Sequence, residues 1–522
     1  MRKLLINKYR YALFIFISIH FLLIFLTGVF RYWGNLTSIN DLGVFDQAVW
    51  GGLHGDLFLN TSQLNERINW LAFHFHPVLL IFIPFYYLIS SPLWFVSTQA
   101  LAISLTAWPI YLLGKRIFNT EKAAVIWAMI YLVNPFVLNA AAWDFHPISL
   151  AVPFVALGML SVETKDFRLM LLSAFILLLC KEHLGIMVAG FGVLWWIKNR
   201  QWIPGMTLII AGIGHFYLVL KIIMPALSPT GQHVMVSDGL GQLSRYAWLG
   251  QSVGEIIAFV LLNPVDVIGT VLFKMGGLIY LLSLLISFLG FPLLCLFMLF
   301  PAAADLATNL LSSNPMPRAS IAYHSVTLIP IFTAASIYGI KNTAKWIQRF
   351  SVIKLSGLVL IASIILGYCS APLPLPWARN FWAPVSFVSL PDPRIHEIGL
   401  GVGQEASISV QANVGSHFSQ RKEIYRFPNK LDEVDAVVLW IDTPTKKVHI
   451  DSEKRRYIIG TLDQHLQLDR DDFIHSVERL LKDDNFKVHY WNDPWLVFKR
   501  GYGIQQDISE IKKKIEELER EW

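Results

Sequence analysis

Apolar runs long enough to cross a bilayer recur along the first 370 residues, and no other feature constrains the fold as strongly. Residues 11–30 form the first, enough helix for the ~30 Å of hydrocarbon. Others lie at 93–114, 122–141, 146–162, 169–182, 184–198, 204–224, 276–290, 292–307, 323–341 and 352–370. Together they predict about eleven spans. Residues 77–89 are apolar but too short to cross, and counting them would invert the charge pattern that follows, so they read as re-entrant or interfacial. With 54% hydrophobic and 15% charged residues and a mean hydropathy of +0.50, an ordinary soluble fold is excluded. No small-residue cleavage site follows the first run, which reads as a retained span rather than a signal peptide.

A formal charge of +6 raises nucleic acid as a partner, but the basic residues sit in short loops: Lys115, Arg116 and Lys122; Lys165 and Arg168; Lys198 and Arg200; Lys341, Lys345 and Arg349. That is the positive-inside pattern, so no nucleic-acid partner is expected. With Lys3, Lys8 and Arg10 before the first span, the N-terminus is predicted to be cytoplasmic. Parity then places the loop 31–75, the turn at 143–147, Lys181-Glu182-His183 and residues 312–324 on the outer side. The three cysteines, Cys180, Cys295 and Cys369, show no metal-ligand spacing.

After residue 370 the composition becomes that of an ordinary globular chain, beginning with the Pro-rich segment 371–376. The predicted organisation is therefore an α-helical polytopic membrane domain, 1–370, and an extracytoplasmic α/β domain, 371–522. Strands are expected at 406–410 and 436–441, a helix at 471–481, and a hairpin pairing 487–491 with 495–499 across Asn492-Asp493-Pro494. Ile508, Ile511, Ile515, Leu518 and Trp522, spaced three and four apart, predict an amphipathic helix packed on this domain.

Ionisable side chains gathered at one end of several spans point to a functional cleft, because charge at membrane depth is costly. Asp41 and Asp46 lie five apart, roughly 140° on a helix, and could face one way only with a turn at Gly43 between them. A carboxylate here fits a general base toward an acceptor hydroxyl or a ligand for a divalent metal ion, the one cofactor the pattern leaves room for. Helix capping by Asp41 and plain solvation are the bland alternatives. His74 and His76 share one side of an extended segment; a lone His-x-His signals metal weakly and equally suits hydrogen-bonded interface histidines. Asp144 and His146 flank the turn that Pro147 forces between two spans, where Asp144 also fits a cap. Lys181 and Glu182 fit a phosphate clamp with its orienting carboxylate, or a self-neutralising pair. Arg318 and His324 precede a span at lipid-phosphate depth, where an interfacial anchor serves as well as an anion partner. Gly-rich phosphate loops, Gly-x-Ser-x-Gly and His-Glu-x-x-His are absent, which argues against ATP-driven pumps and common hydrolases.

The segments Asp41-Leu-Gly-Val-Phe-Asp46-Gln47, Phe73-His-Phe-His76-Pro77, Asp144-Phe-His146-Pro147 and Lys181-Glu182 resemble the DUF2079 family of prokaryotic membrane proteins. The resemblance extends through Ser407–Asn413, Ser416–Arg421, Ile424–Pro428 and Asp435–Leu439, covering most of residues 35–445. That family is grouped with the GT-C glycosyltransferases, which implies a GT-C-like fold and an acidic residue of the first outer loop at the reaction centre. It further implies chemistry on the non-cytoplasmic face with a polyprenyl-phosphate-linked sugar donor. Where the family carries an acidic residue after Lys-Glu, this chain has His183. The expectation is a cell-envelope membrane glycosyltransferase with Asp41 or Asp46 as catalytic residue. Gln47, His74, His76, Asp144, His146, Lys181, Glu182, Arg318 and His324 are expected to bind substrate. The partners are the lipid bilayer, the polyprenyl-phosphate sugar donor and a glycan, lipid or protein acceptor. The rival readings are a transporter or lipid-handling protein, whose charges line a pathway, and a non-enzymatic envelope assembly partner.

Overall fold

The computed structural model describes residues 2–232, 242–370, 388–442, 468–501 and 508–521. The Pro-rich segment 371–376 and Trp522 lie outside the described residues. The chain divides into two compact units, each made of three stretches: Met1–Phe25, Leu71–Val78 and Ser97–Asn380 form the first, and Leu26–Trp70, Leu79–Val96 and Phe381–Trp522 the second.

The chain is an α-helical membrane protein. Among the described residues six helices are long and apolar enough to span a bilayer: Lys8–Trp33, Leu93–Phe118, Pro147–Thr164, Trp202–Leu227, Phe291–Leu311 and Val352–Ser370. Two bent pairs raise this to eight if each is one span: Glu121–Leu132 with Pro135–Ala142, at 49°, and Gly254–Leu262 with Pro264–Lys274, at 94°. Each bend falls at an Asn-Pro step, where proline removes a donor and disfavours helix in the residue before it. Against the expected count of about eleven, helix is found in every expected run, but Phe167–Cys180, Leu184–Asn199 and Gly277–Ile286 are shorter than a full crossing, and Leu328–Trp346 is not among the six. The bent pair at 254–274 was not among the expected segments. Side chains on these helices point apolar groups outward, as Ile15, Phe175, Ile210 and Leu261 do, which suits a hydrocarbon solvent.

Three connections in the first unit use one device. Asn119, Lys165 and Arg200 each end a helix in the left-handed conformation, with φ of 54°, 59° and 58°, and the residue that follows is the N-cap of the next helix. A two-residue reversal of this kind sends the chain straight back along its predecessor. The helices Leu184–Asn199 and Trp202–Leu218 then pack closely through two glycine pairs. A Cβ at Gly192 would meet the Gly205 carbonyl oxygen at 2.5 Å, and one at Gly185 the Gly212 carbonyl oxygen at 2.6 Å. The pairs stand seven residues apart on each helix, so both lie on one face.

The second unit contains a two-stranded ribbon, β1 (Leu59–Asn60) and β2 (Ile68–Asn69), and a five-stranded sheet. The sheet strands are β3 (Ile408–Val410), β4 (Ile424–Arg426), β5 (Ala436–Trp440), β6 (Phe486–Asn492) and β7 (Trp495–Arg500), in the order β4-β3-β5-β7-β6. β3 runs parallel to β4 and β5, while β7 pairs antiparallel with β5 and β6. Alternation divides β5 and β7 between two cores. Val437, Leu439, Leu496 and Phe498 pack with Phe473, Val477 and Leu480 of the helix Arg470–Lys482 and with Ile511, Ile515 and Leu518 of the helix Ser509–Glu521. Ala436, Val438, Trp495 and Val497 face Ile398 and Val402 of the helix Pro393–Val402, and Ile39. The expected strands, hairpin and terminal amphipathic helix are present; β4 is an additional strand.

Candidate functional site

In the second unit, Ser38 caps a single π-helical turn, Ile39–Gly43, its side chain accepting from the Asn40 amide, and the helix Val44–Leu53 follows. Asp46 falls in the first turn of that helix, which continues directly from the π-helical turn. Its carboxylate is 1% exposed and accepts three hydrogen bonds. Tyr86 Oη donates to Oδ1 at 2.6 Å, Gln420 Nε2 to Oδ1 at 3.1 Å, and Ser419 Oγ to Oδ2 at 2.5 Å. None of these donors is a cation. Burial outweighs the three bonds and pushes the Asp46 carboxyl up to about 6.

Asp46 lines a cavity of about 570 Å³ together with Tyr32, Asp392, His396, His417 and Arg421. The His417 ring lies against Tyr32, centroids 4.2 Å apart, and burial lowers it to about 4, so it stands neutral at pH 7. Arg421 spends its guanidinium on backbone carbonyls, those of Phe418 and Ala406 at 2.8 Å and Gly403 at 3.2 Å. The cavity therefore offers a tunable carboxylate, a neutral imidazole and aromatic walls, a set suited to moving a proton beside a polar organic group.

Asp41 sits in the π-helical turn, half-buried, and is not brought to the three donors that hold Asp46. The cap is Ser38. Gln47 is committed to structure: its Nε2 donates to Thr61 Oγ1 at 2.9 Å and the Arg421 carbonyl at 3.0 Å, and its Oε1 accepts from the Thr61 amide at 3.0 Å.

The first unit gathers most of the other expected residues into a second cluster. His74 Nδ1 lies 3.1 Å from Glu182 Oε1, and the Phe75 amide donates to Glu182 Oε2 at 3.0 Å. The His74 and His76 rings stack at 5.4 Å. Burial holds both imidazoles below their ordinary range, and the neighbouring Lys181 ammonium adds to it. His146 stacks on Tyr323 at 3.6 Å, and Tyr323 on His324 at 4.3 Å. The buried Asp144 belongs to the same turn as His146, its carbonyl 3.0 Å from His146 Nδ1. Gln99 fixes this turn, accepting from the His146 amide at 3.0 Å and donating to the Trp143 carbonyl at 2.8 Å. His183 Nε2 lies 3.4 Å from Asp305 Oδ1, so a carboxylate adjoins the position where the acidic residue is missing in sequence. Arg318 Nη1 donates to the carbonyls of Asn309 at 2.9 Å and Ser312 at 2.5 Å, closing the C-terminal end of the helix Ala303–Leu311. Its contacts are those of a cap.

Tyr86, Ser419, Gln420, His417, Gln99 and Asp305 were absent from the expected set. Ser419, Gln420 and His417 carried a signal, lying inside the segment Ser416–Arg421 that shares the family pattern. Tyr86 carried none, because a tyrosine in an apolar run looks like a membrane-belt residue.

A family profile described as "Predicted membrane protein (DUF2079)" matches residues 31–492. No curated protein matches in sequence. In structure the chain is similar to ArnT from Cupriavidus metallidurans, solved bound to undecaprenyl phosphate, with a TM-score of 0.50 and 10% identity over 93% of this chain and 97% of that one. At that identity the likeness shows the fold, which is GT-C-like, and leaves the chemistry to the site.

Proposed function

The chain belongs to the DUF2079 family of membrane proteins, and from that premise we propose that it is a glycosyltransferase using a polyprenyl-phosphate-linked sugar on the extracytoplasmic face, with Asp46 as general base. The observation that carries this reading is the buried Asp46 carboxylate in the wall of a cavity of about 570 Å³, with a pKa near 6. A base near the working pH is deprotonated in the resting site yet basic enough to accept a proton. The likeness to a protein solved with undecaprenyl phosphate supports a lipid-phosphate leaving group.

In the proposed reaction the acceptor hydroxyl oxygen bonds to the anomeric carbon of the sugar, and its proton passes to Asp46. The bond from that carbon to the phosphate oxygen breaks, leaving its electron pair on the polyprenyl phosphate. Tyr86, Ser419 and Gln420 orient the carboxylate and keep it ionised, since each donates to the charged form. By the charge pattern of the short loops, the N-terminus is cytoplasmic and the C-terminal α/β domain extracytoplasmic.

The test is turnover by the purified protein in lipid with a panel of polyprenyl-phosphate sugars, read by mass spectrometry as release of free lipid phosphate. Asp46→Asn is expected to cut the rate by about 10²-fold or more while the protein stays folded. Equal turnover by both proteins rules out Asp46 as the base. Substrate-dependent alternation between inward and outward accessibility, without turnover of any donor, would instead favour a transporter.

A further inference from the structure

We propose that His74, His76 and Glu182 form a binding site for a first-row divalent metal ion, zinc(II) by its ligand chemistry. One nitrogen from each imidazole and one carboxylate oxygen all lie within 4.8 Å of one another. All three residues are buried, at 8%, 3% and 6% exposure. A tetrahedral ion with bonds of about 2.1 Å sets its ligands about 3.4 Å apart. The His74 Nδ1 to Glu182 Oε1 separation of 3.1 Å is already of that size, and with the whole set within 4.8 Å metal binding would draw the other ligand atoms in by at most about 1.4 Å.

The carboxylate is also held in the way metal ligands are held. Glu182 Oε2 accepts the Phe75 amide at 3.0 Å, which fixes the carboxylate plane and leaves Oε1 turned to His74 Nδ1. The amide comes from the residue between the two histidines, so one short segment supplies two ligands and the group that orients the third. Two imidazoles and one carboxylate suit zinc and its neighbours, whereas magnesium and calcium prefer oxygen alone. Three protein ligands leave a fourth position for an exogenous oxygen, as in catalytic zinc sites. Lys181 lies beside the cluster and opposes cation entry, an effect that the Glu182 carboxylate offsets.

The site belongs to the first unit and does not depend on the sugar-transfer reading, and its test reads metal rather than turnover. Full-length protein is purified in detergent without chelator and its metal content measured by mass spectrometry. The chain is then stripped and titrated with Zn²⁺ or Co²⁺, following the melting midpoint and the visible ligand-field absorption of cobalt. The expected result is about one ion per chain, a raised midpoint and a tetrahedral cobalt spectrum. His76→Ala and Glu182→Gln should each weaken binding about tenfold or more, and Asp46→Asn should leave it unchanged. If His76→Ala fails to fold, His76→Gln and the wild-type titration decide. Absence of retained metal together with no spectral or thermal response in the wild type overturns the proposal, as does unchanged affinity in folded variants at both positions.

Discussion

Asp46 is held in a conflict between burial, which favours its neutral form, and three neutral donors, which favour its charged form, and burial wins. The sign of the resulting pH effects follows directly. As a base Asp46 works only when ionised, so turnover should rise with pH through about 6 and level off above it. Tyr86→Phe or Ser419→Ala removes a donor to the charged form and should move that acid limb to higher pH, measurable in the pH profile of kcat; an unmoved limb would exclude Asp46 as its source. Stability runs the other way. The native state holds the Asp46 proton more tightly than the unfolded chain, so the carboxylate costs stability as pH rises through the interval between the ordinary carboxylate range and about 6. Asp46→Asn, which cannot ionise, should therefore gain on the wild type by about 1–3 kcal/mol between acid and neutral pH, read by denaturant unfolding in mild detergent. The pair Asp41 and Asp46 was legible as a candidate pair of carboxylates, but helical angle fixes only their mutual direction. Which of the two meets Ser419 and Gln420 is decided by chain hundreds of residues away.

At the scale of elements, the helices Leu184–Asn199 and Trp202–Leu218 give the sharpest expectation, because the same helix supplies its own control. Gly212 packs against Gly185 and the Ala189 backbone, whereas a Cβ at Gly214 meets nothing within 4 Å. Gly212→Leu should destabilise by about 1–3 kcal/mol or more through overpacking, while Gly214→Leu should stay within about 0.5 kcal/mol; equal effects in detergent unfolding would contradict the close helix pair. The elements themselves were readable wherever one physical rule dominates. Short apolar runs rich in β-branched and aromatic residues, the second of them following the Asn492-Asp493-Pro494 turn, marked β5 and β7, and spacing by three and four marked the helix Ser509–Glu521, whose Ile511, Ile515 and Leu518 enter the core. β4, Ile424–Arg426, has only two apolar residues in a row, between the charged Glu423 and Arg426, and its place in the sheet comes from pairing with β3. The whole segment 254–274 was missed, because Asn263, Pro264 and Asp266 interrupt its apolar run and leave two stretches each too short to read as a span.

For the whole molecule, the proposed orientation rests on charge placement, and chemical labelling tests it. In a background lacking the exposed Cys369, a cysteine replacing Asp432 should react with an impermeant reagent added to intact cells, and one replacing Lys165 only after the membrane is opened; both positions are exposed. Labelling of both from the same side would refute the assigned topology. The long apolar runs made the membrane class plain in the sequence, whereas the division into units was not, since each unit recruits stretches from distant parts of the chain. That recruitment has a consequence for synthesis. Asp46 and Ser419 are 373 residues apart, so at the ~5–20 residues per second of translation about 20–75 s separate the two from meeting. During that interval the nascent chain has passed Asp46 but owns no assembled cavity. A ribosome that stalls or a message that ends early yields a membrane-inserted product without the completed Asp46 site, and competence arrives only with the last part of the chain.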